Sequence, residues 1–217
     1  MCQLFEFSRD ANFERLASLL YFLYIYLNFE MPSLKLNTPI EIDHFYHIYN
    51  RGNNHELLFY KDYNYAYFLK KYEKYLSEHV STFAYCLMPN HFHLLIKTKT
   101  ELVSNQLKKL FQSYALSINK QENRTGSLFT KPFRRILIED NEYLKYLVFY
   151  IHYNPEKHKF FKDFRDYRHS SYQNLIRKKE TDLNREELFD WFGGREEFLN
   201  FHNYYHEEKR LEKYIIE

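Results

Sequence analysis

The sequence has little cysteine, little glycine and no long apolar run. Its two cysteines, Cys2 and Cys86, stand far apart and form no motif. That argues against a disulfide-stapled secreted domain, and a reduced, cytosolic protein is the simplest reading. No apolar stretch reaches the length that spans a bilayer. The most apolar one, Leu16–Phe29, lacks the basic start and small-residue cleavage site of a signal peptide. Glycine occurs only 4 times, and neither an internal repeat nor a low-complexity linker is visible. Net charge is only +2, so no strong overall field marks a partner.

Aromatic residues make up 20% of the 217 positions, with 22 Tyr and 21 Phe, more than a core requires. An AT-rich genome encodes the same bias, so the richness carries little functional weight by itself. The length suits one domain plus an appendage. Residues 1–35 read as an N-terminal extension, helical or mis-started, with Met31-Pro32-Ser33 as an alternative start. Residues 36–160 read as the main domain and 161–217 as a helical extension. Charge is unevenly spread. Lys108, Lys109, Lys120, Arg124, Lys131, Arg134 and Arg135 face one acid, Glu122, whereas the stretch after Glu180 is acidic. A basic middle suits an anionic partner, although solvated helix faces would look the same.

Alternation and β-forming residues predict strands at His44–Arg51, Val80–Met88, His91–Thr98 and Arg134–Glu139. Helical spacing predicts helices from Tyr63 to about His79, capped by Asp62, and over Leu102–Gln121. A third helix runs from Glu142 to about Asn154, with Asp140 or Asn141 as cap and Pro155 as stop. The order β-α-β-β-α-β predicts an α+β, ferredoxin-like antiparallel sheet with helices on one face. A helical C-terminal extension follows, broken at Trp191-Phe192-Gly193-Gly194.

Met88-Pro89-Asn90-His91-Phe92-His93 holds the chemistry. Strand side chains alternate, so His91 and His93 share a face and form a ready pair of ligands for a divalent ion. In the third helix Tyr146, Tyr150 and Asn154 are spaced by four and share a face, while Leu144, Leu147, Val148 and Ile151 form a burying stripe. The Asn154 amide oxygen is a plausible third ligand. Tyr150 would sit one turn away as a nucleophile, its phosphate target activated by the metal. In so tyrosine-rich a chain, a helical Tyr usually packs. Tyr114 is a second candidate, but Ile118, four residues on, is no ligand.

His91-Phe92-His93 together with Tyr150-Ile151-His152-Tyr153-Asn154-Pro155 resembles the single-tyrosine HUH transposases, and among them the REP-associated tyrosine transposases. Tyr46-His47-Ile48-Tyr49-Asn50-Arg51-Gly52, Arg124-Thr125-Gly126-Ser127-Leu128-Phe129 and Ser170-Ser171-Tyr172 add to the resemblance, which covers roughly residues 43–172. It implies a ferredoxin-like catalytic domain, a Mg²⁺ or Mn²⁺ ion and single-stranded DNA with palindromic hairpins as substrate. Metal ligands would be His91, His93 and Asn154. Tyr150 would become joined to a DNA 5′-phosphate, leaving a free 3′-OH. A homodimer acting in the cytoplasm, at the nucleoid, is also implied. The one departure is Glu156-Lys157-His158-Lys159-Phe160, where the family has a short turn with a small residue.

Candidate DNA contacts are Arg51, Lys108, Lys109, Arg124, Arg134 and Arg135, with Tyr46, Tyr49, Phe129 and Phe133 as candidate stacking platforms. His47 and His152 lie near the motifs, where packing or a supporting role would each fit. Two other functions remain open: a nucleic-acid-binding module without chemistry, and a metal-dependent hydrolase with water as nucleophile.

Overall fold

A computed structural model of the protein describes residues 39–215, with side chains as far as residue 209. The described residues fall within one compact unit. The expectations for residues 1–35, and Cys2, lie outside the described residues.

Strands β1 (Phe45–Arg51), β2 (Val80–Met88), β3 (His91–Thr98) and β4 (Arg134–Ile138) form one sheet in the order β2-β3-β1-β4, with every neighbouring pair antiparallel. With helices α1 (Asp62–Leu76) and α2 (Val103–Gln121), this is the ferredoxin-like α+β fold. The strand period of two divides the core. Tyr46, Ile48, Phe92, Leu94 and Ile96 pack with Phe68, Tyr72, Leu107, Leu110 and Tyr114 of α1 and α2. Each such side chain removed from water contributes roughly 1.5–3 kcal/mol. The odd-numbered residues of β1 and β3 face the other way, where Phe45 and Leu95 join a cluster that includes residues of helix α3 (Asn141–Lys157). A register shift between Thr82 and Ala84 in β2 lets Phe83 and Ala84 both join this second cluster. Helices therefore cover both faces: α1 and α2 one, α3 and the C-terminal helices the other.

Two boundaries depart from expectation. Helix α1 begins at Asp62 with Lys61 as cap residue, because Asn64 folds back to accept from the Lys61 backbone N–H at 2.8 Å. Asp62 pairs instead with Arg168 and with His169 at 3.2 Å. Helix α3 starts as expected, with the Asp140 carboxylate accepting from the Tyr143 N–H, but it does not stop at Pro155. Only the final turn follows the proline, so one intrahelical bond is forgone, and the Pro155 carbonyl accepts from the N–H groups of Phe160 and Phe161.

Residues 161–215 belong to the same compact unit as the sheet. They form a 3-10 turn at Phe164–Asp166 and helices α4 (Tyr172–Ile176), α5 (Arg185–Phe192) and α6 (Arg195–Ile215). Gly193, at φ 86°, ends α5 in the left-handed region that favours glycine. His152 of α3 is fully buried and bonds His202 of α6 at 3.0 Å and Ser171 Oγ at 2.8 Å. His152 is thus a packing residue and does not line the cavity described below.

Candidate functional site

The antiparallel register sets His93 opposite Tyr49 and His91 opposite Arg51, all on the α3 side of the sheet. The two imidazole rings lie 5.3 Å apart and nearly perpendicular. His91 Nδ1 donates to Asn90 Oδ1 at 2.7 Å, since an amide oxygen only accepts. His93 Nδ1 is 2.9 Å from Nε2 of His47, a buried residue of β1. Both rings therefore have Nδ1 engaged. Burial holds the His91 imidazole down at about 4, aided by His158 and opposed by nearby Asn154. Burial, with His47 and His91, holds His93 well below its ordinary value. Both rings are neutral at pH 7, the form that binds metal.

Helix α3 supplies the opposite wall. Tyr150 presents its ring edge-on to His93 at 5.8 Å, and Lys157 Nζ stands 4.6 Å from the centre of that ring. Burial pushes the phenol above its ordinary value, Asn154 opposing and Tyr49 adding. Asn154 is fully buried, and its Nδ2 donates to the Tyr150 carbonyl at 2.8 Å. That bond fixes the amide, because a flipped group would set two oxygens against each other. Asn154 Oδ1 is left buried without a hydrogen-bond partner. An orphaned carbonyl oxygen inside a protein costs about 1–3 kcal/mol.

A cavity of about 410 Å³ opens here, lined by Tyr49, Asn50, Arg51, His55, Asn90, His91, His93, Thr130, Arg134, Tyr150, His158 and Phe160. Sequence reasoning missed His158, although it continues the spacing of Tyr146, Tyr150 and Asn154 by four. Reading Pro155 as a stop hid it. Asn90, His55, Thr130 and exposed Phe160 carried no periodic signal.

The structure brings only part of the basic set to this cavity. Exposed Arg51 and Arg134 line it. Arg135 is half-buried and lies over Phe133, which packs in the core on the α1/α2 side, because adjacent strand residues alternate. Lys108 and Lys109 are exposed on α2. Arg124 pairs with Glu56 and donates to Asn119 Oδ1 at 3.1 Å. Of the stacking candidates, Tyr46 and Phe129 are core residues and Phe133 packs on the same core. Only Tyr49 reaches the cavity, beside His47 and His93 and with Arg134 over its ring. Tyr114 is fully buried and donates to the Leu58 carbonyl at 2.9 Å, so it is a core tyrosine.

Two neutral imidazoles with Nδ1 engaged and an orphaned amide oxygen fit a divalent cation, which accepts nitrogen and carbonyl oxygen together. A second group, Glu156, Asp163 and His206, has ligand atoms within 4.8 Å of one another. Its members are already satisfied: Glu156 accepts from His206 Nε2 at 2.9 Å and from the Phe164 N–H, and Asp163 is bridged by Arg165.

A ferredoxin-like sheet with a His-x-His pair facing a tyrosine helix resembles the single-tyrosine HUH transposases as a class. No family model matches the chain. It is 28% identical over 110 residues to a putative REP-associated tyrosine transposase of Haemophilus influenzae, covering 44% of this chain and 61% of that protein. The chain thus matches less than two thirds of that relative's length. A solved REP-associated tyrosine transposase bound to a REP hairpin shares the fold with a TM-score of 0.53 at 16% identity, over 64% of this chain and 82% of the other. In sequence and in fold, the chain resembles the REP-associated tyrosine transposases.

Proposed function

We propose that the protein is a transposase-like enzyme that cleaves and rejoins single-stranded hairpin DNA through a covalent bond to Tyr150. The observation that carries this reading is the buried Asn154 Oδ1 without a partner, one helical turn from Tyr150, which lines the same cavity as His91 and His93. The hairpin bound to the structural neighbour supports the substrate class.

Arg51 and Arg134 would hold backbone phosphates at the cavity mouth. Tyr150 Oη attacks the scissile phosphorus and loses its proton. The bond from phosphorus to the 3′-oxygen breaks, and that oxygen takes a proton. A 5′-phosphotyrosine and a free 3′-OH result, and attack by a 3′-OH reverses the step. A Mg²⁺ or Mn²⁺ ion held by His91, His93 and Asn154 would supply Lewis-acid polarisation of the phosphate. That assistance matters because burial keeps the Tyr150 phenol protonated at neutral pH. Lys108, Lys109, Arg124 and Arg135 would serve only DNA that extends beyond the cavity. The resemblance further implies a homodimer working in the cytoplasm at the nucleoid. No helix of the described residues is long and apolar enough to cross a membrane.

The test is covalent trapping with labelled hairpin DNA and Mn²⁺ on a denaturing gel. A band at the summed mass, lost with EDTA and in Tyr150→Phe, is expected. Cleavage that survives Tyr150→Phe would favour water as nucleophile. Binding without any cleavage would favour a module without chemistry.

A further inference from the structure

The His47–His93 contact joins two buried imidazoles with no carboxylate between them. His47 lies opposite Leu95 and His93 opposite Tyr49, so the two histidines form a diagonal pair on one face of the sheet. Their rings stack at 5.1 Å, with His47 Nε2 2.9 Å from His93 Nδ1. Two neutral rings can place only one proton between those atoms. If His47 donates, the remaining proton of His93 sits on Nε2 and blocks that nitrogen. If His93 donates from Nδ1, its Nε2 keeps a lone pair. His91 shows which arrangement the site is built for: its Nδ1 meets Asn90 Oδ1, which can only accept, so its Nε2 carries the lone pair.

We propose that His47 is a positioning residue, whose Nε2 accepts from His93 Nδ1–H and so leaves the lone pair of His93 Nε2 available to a cation. The assignment rests on the reading of His93 as a ligand. Asn90 does for His91 what His47 does for His93, and the pair of acceptors sets both rings in the same tautomer. Partners of this kind fix ring orientation and raise ligand basicity, and losing one costs about 10- to 100-fold in metal affinity. Tyr49, stacked on both rings at 4.9 and 5.7 Å, restricts them to this arrangement.

Two measurements test this. In the full-length, metal-free protein labelled with ¹⁵N-histidine, long-range ¹H–¹⁵N spectra report which nitrogen of His93 is protonated. Nδ1–H is expected, and Nε2–H would overturn the proposal. Calorimetric Mn²⁺ titrations then compare wild type, His47→Leu, His47→Gln, His91→Ala and His93→Ala. His47→Leu should weaken Mn²⁺ binding about 10- to 100-fold. His47→Gln should restore most of it, because the glutamine oxygen can accept from His93 Nδ1. Equal loss in Gln and Leu, or no loss in Leu, would overturn the role of His47. If His91→Ala and His93→Ala also bind Mn²⁺ like wild type, the ligand reading falls with it. If they lose binding while His47→Leu does not, the ligand reading stands and the positioning role alone fails.

Discussion

Asn154 donates from Nδ2 to the carbonyl of Tyr150 at 2.8 Å, and the same amide buries an oxygen with no hydrogen-bond partner. One side chain thus braces the helix turn that carries the candidate nucleophile and keeps a spare carbonyl oxygen beside it. Replacing it by a carboxylate separates the two roles. Without metal, Asn154→Asp buries a charge beside a carbonyl and should melt below wild type. With Mn²⁺ at about 100 times its dissociation constant, binding adds about 2.7 kcal/mol to stability. For a domain of this size that is roughly 5–11 °C. Melting curves with EDTA and with Mn²⁺ check this. No Mn²⁺ response in either protein would remove Asn154 from the site.

Acid should weaken the fold well before the carboxylates titrate. Burial holds His47 and His202 at about 3 and His91 at about 4, and holds His93 and His152 well below their ordinary value. The unfolded chain takes up these protons near pH 6.5 and the folded one only far lower, so the unfolded state binds more protons in between. Stability is fully present above about pH 6.5 and is lost as pH falls toward the folded values, about 1.4 kcal/mol per unit for each group. His202, held at about 3, alone predicts a drop in melting temperature of roughly 4–8 °C between pH 7 and pH 5, and His152 adds to it in the same direction. A flat profile would show that these histidines are not dry in solution.

The placement of the arginines predicts a split in salt dependence. Arg51→Ala and Arg134→Ala should weaken binding to single-stranded hairpin DNA and each lower the salt slope by about 0.7. Arg135→Ala, on the opposite face of β4, should leave the slope unchanged. Lys108→Ala and Lys109→Ala, on α2, should behave like Arg135→Ala. Affinities between about 50 and 200 mM salt give the slopes. A larger effect from the lysines would mean that DNA is held on the α2 face.

Gly52 follows Arg51 directly, and the tight turn after it brings Glu56 closer than any side chain at Gly52 allows. A Cβ there would lie 1.9 Å from the Glu56 carbonyl oxygen. The Gly52 N–H also donates to the Asn90 carbonyl at 2.8 Å, tying the end of β1 to the turn before His91. Gly52→Ala should cost about 3 kcal/mol and lower the melting temperature by roughly 6–12 °C. It should weaken DNA binding as well, by displacing Arg51. Wild-type stability in this variant would show that the loop relaxes freely.

The sequence by itself determined the sheet and its faces. Alternation in β1 and β3 assigned Phe92, Leu94 and Ile96 to one side and His91 and His93 to the other, because the strand period is two whatever the strand pairs with. The four-residue spacing likewise set Tyr150 and Asn154 on one helix face. Tertiary structure decided what those faces meet. It put Arg134 at the cavity and Arg135 away from it, and it buried Tyr46, Phe129 and Tyr114, which composition could not tell from surface aromatics. It carried α3 past Pro155 and so delivered His158, because the forgone backbone bond lies in the last turn, where it costs the helix least. It also brought His47 against His93, since strand order and register, neither of which is written in local pattern, set which histidines become neighbours.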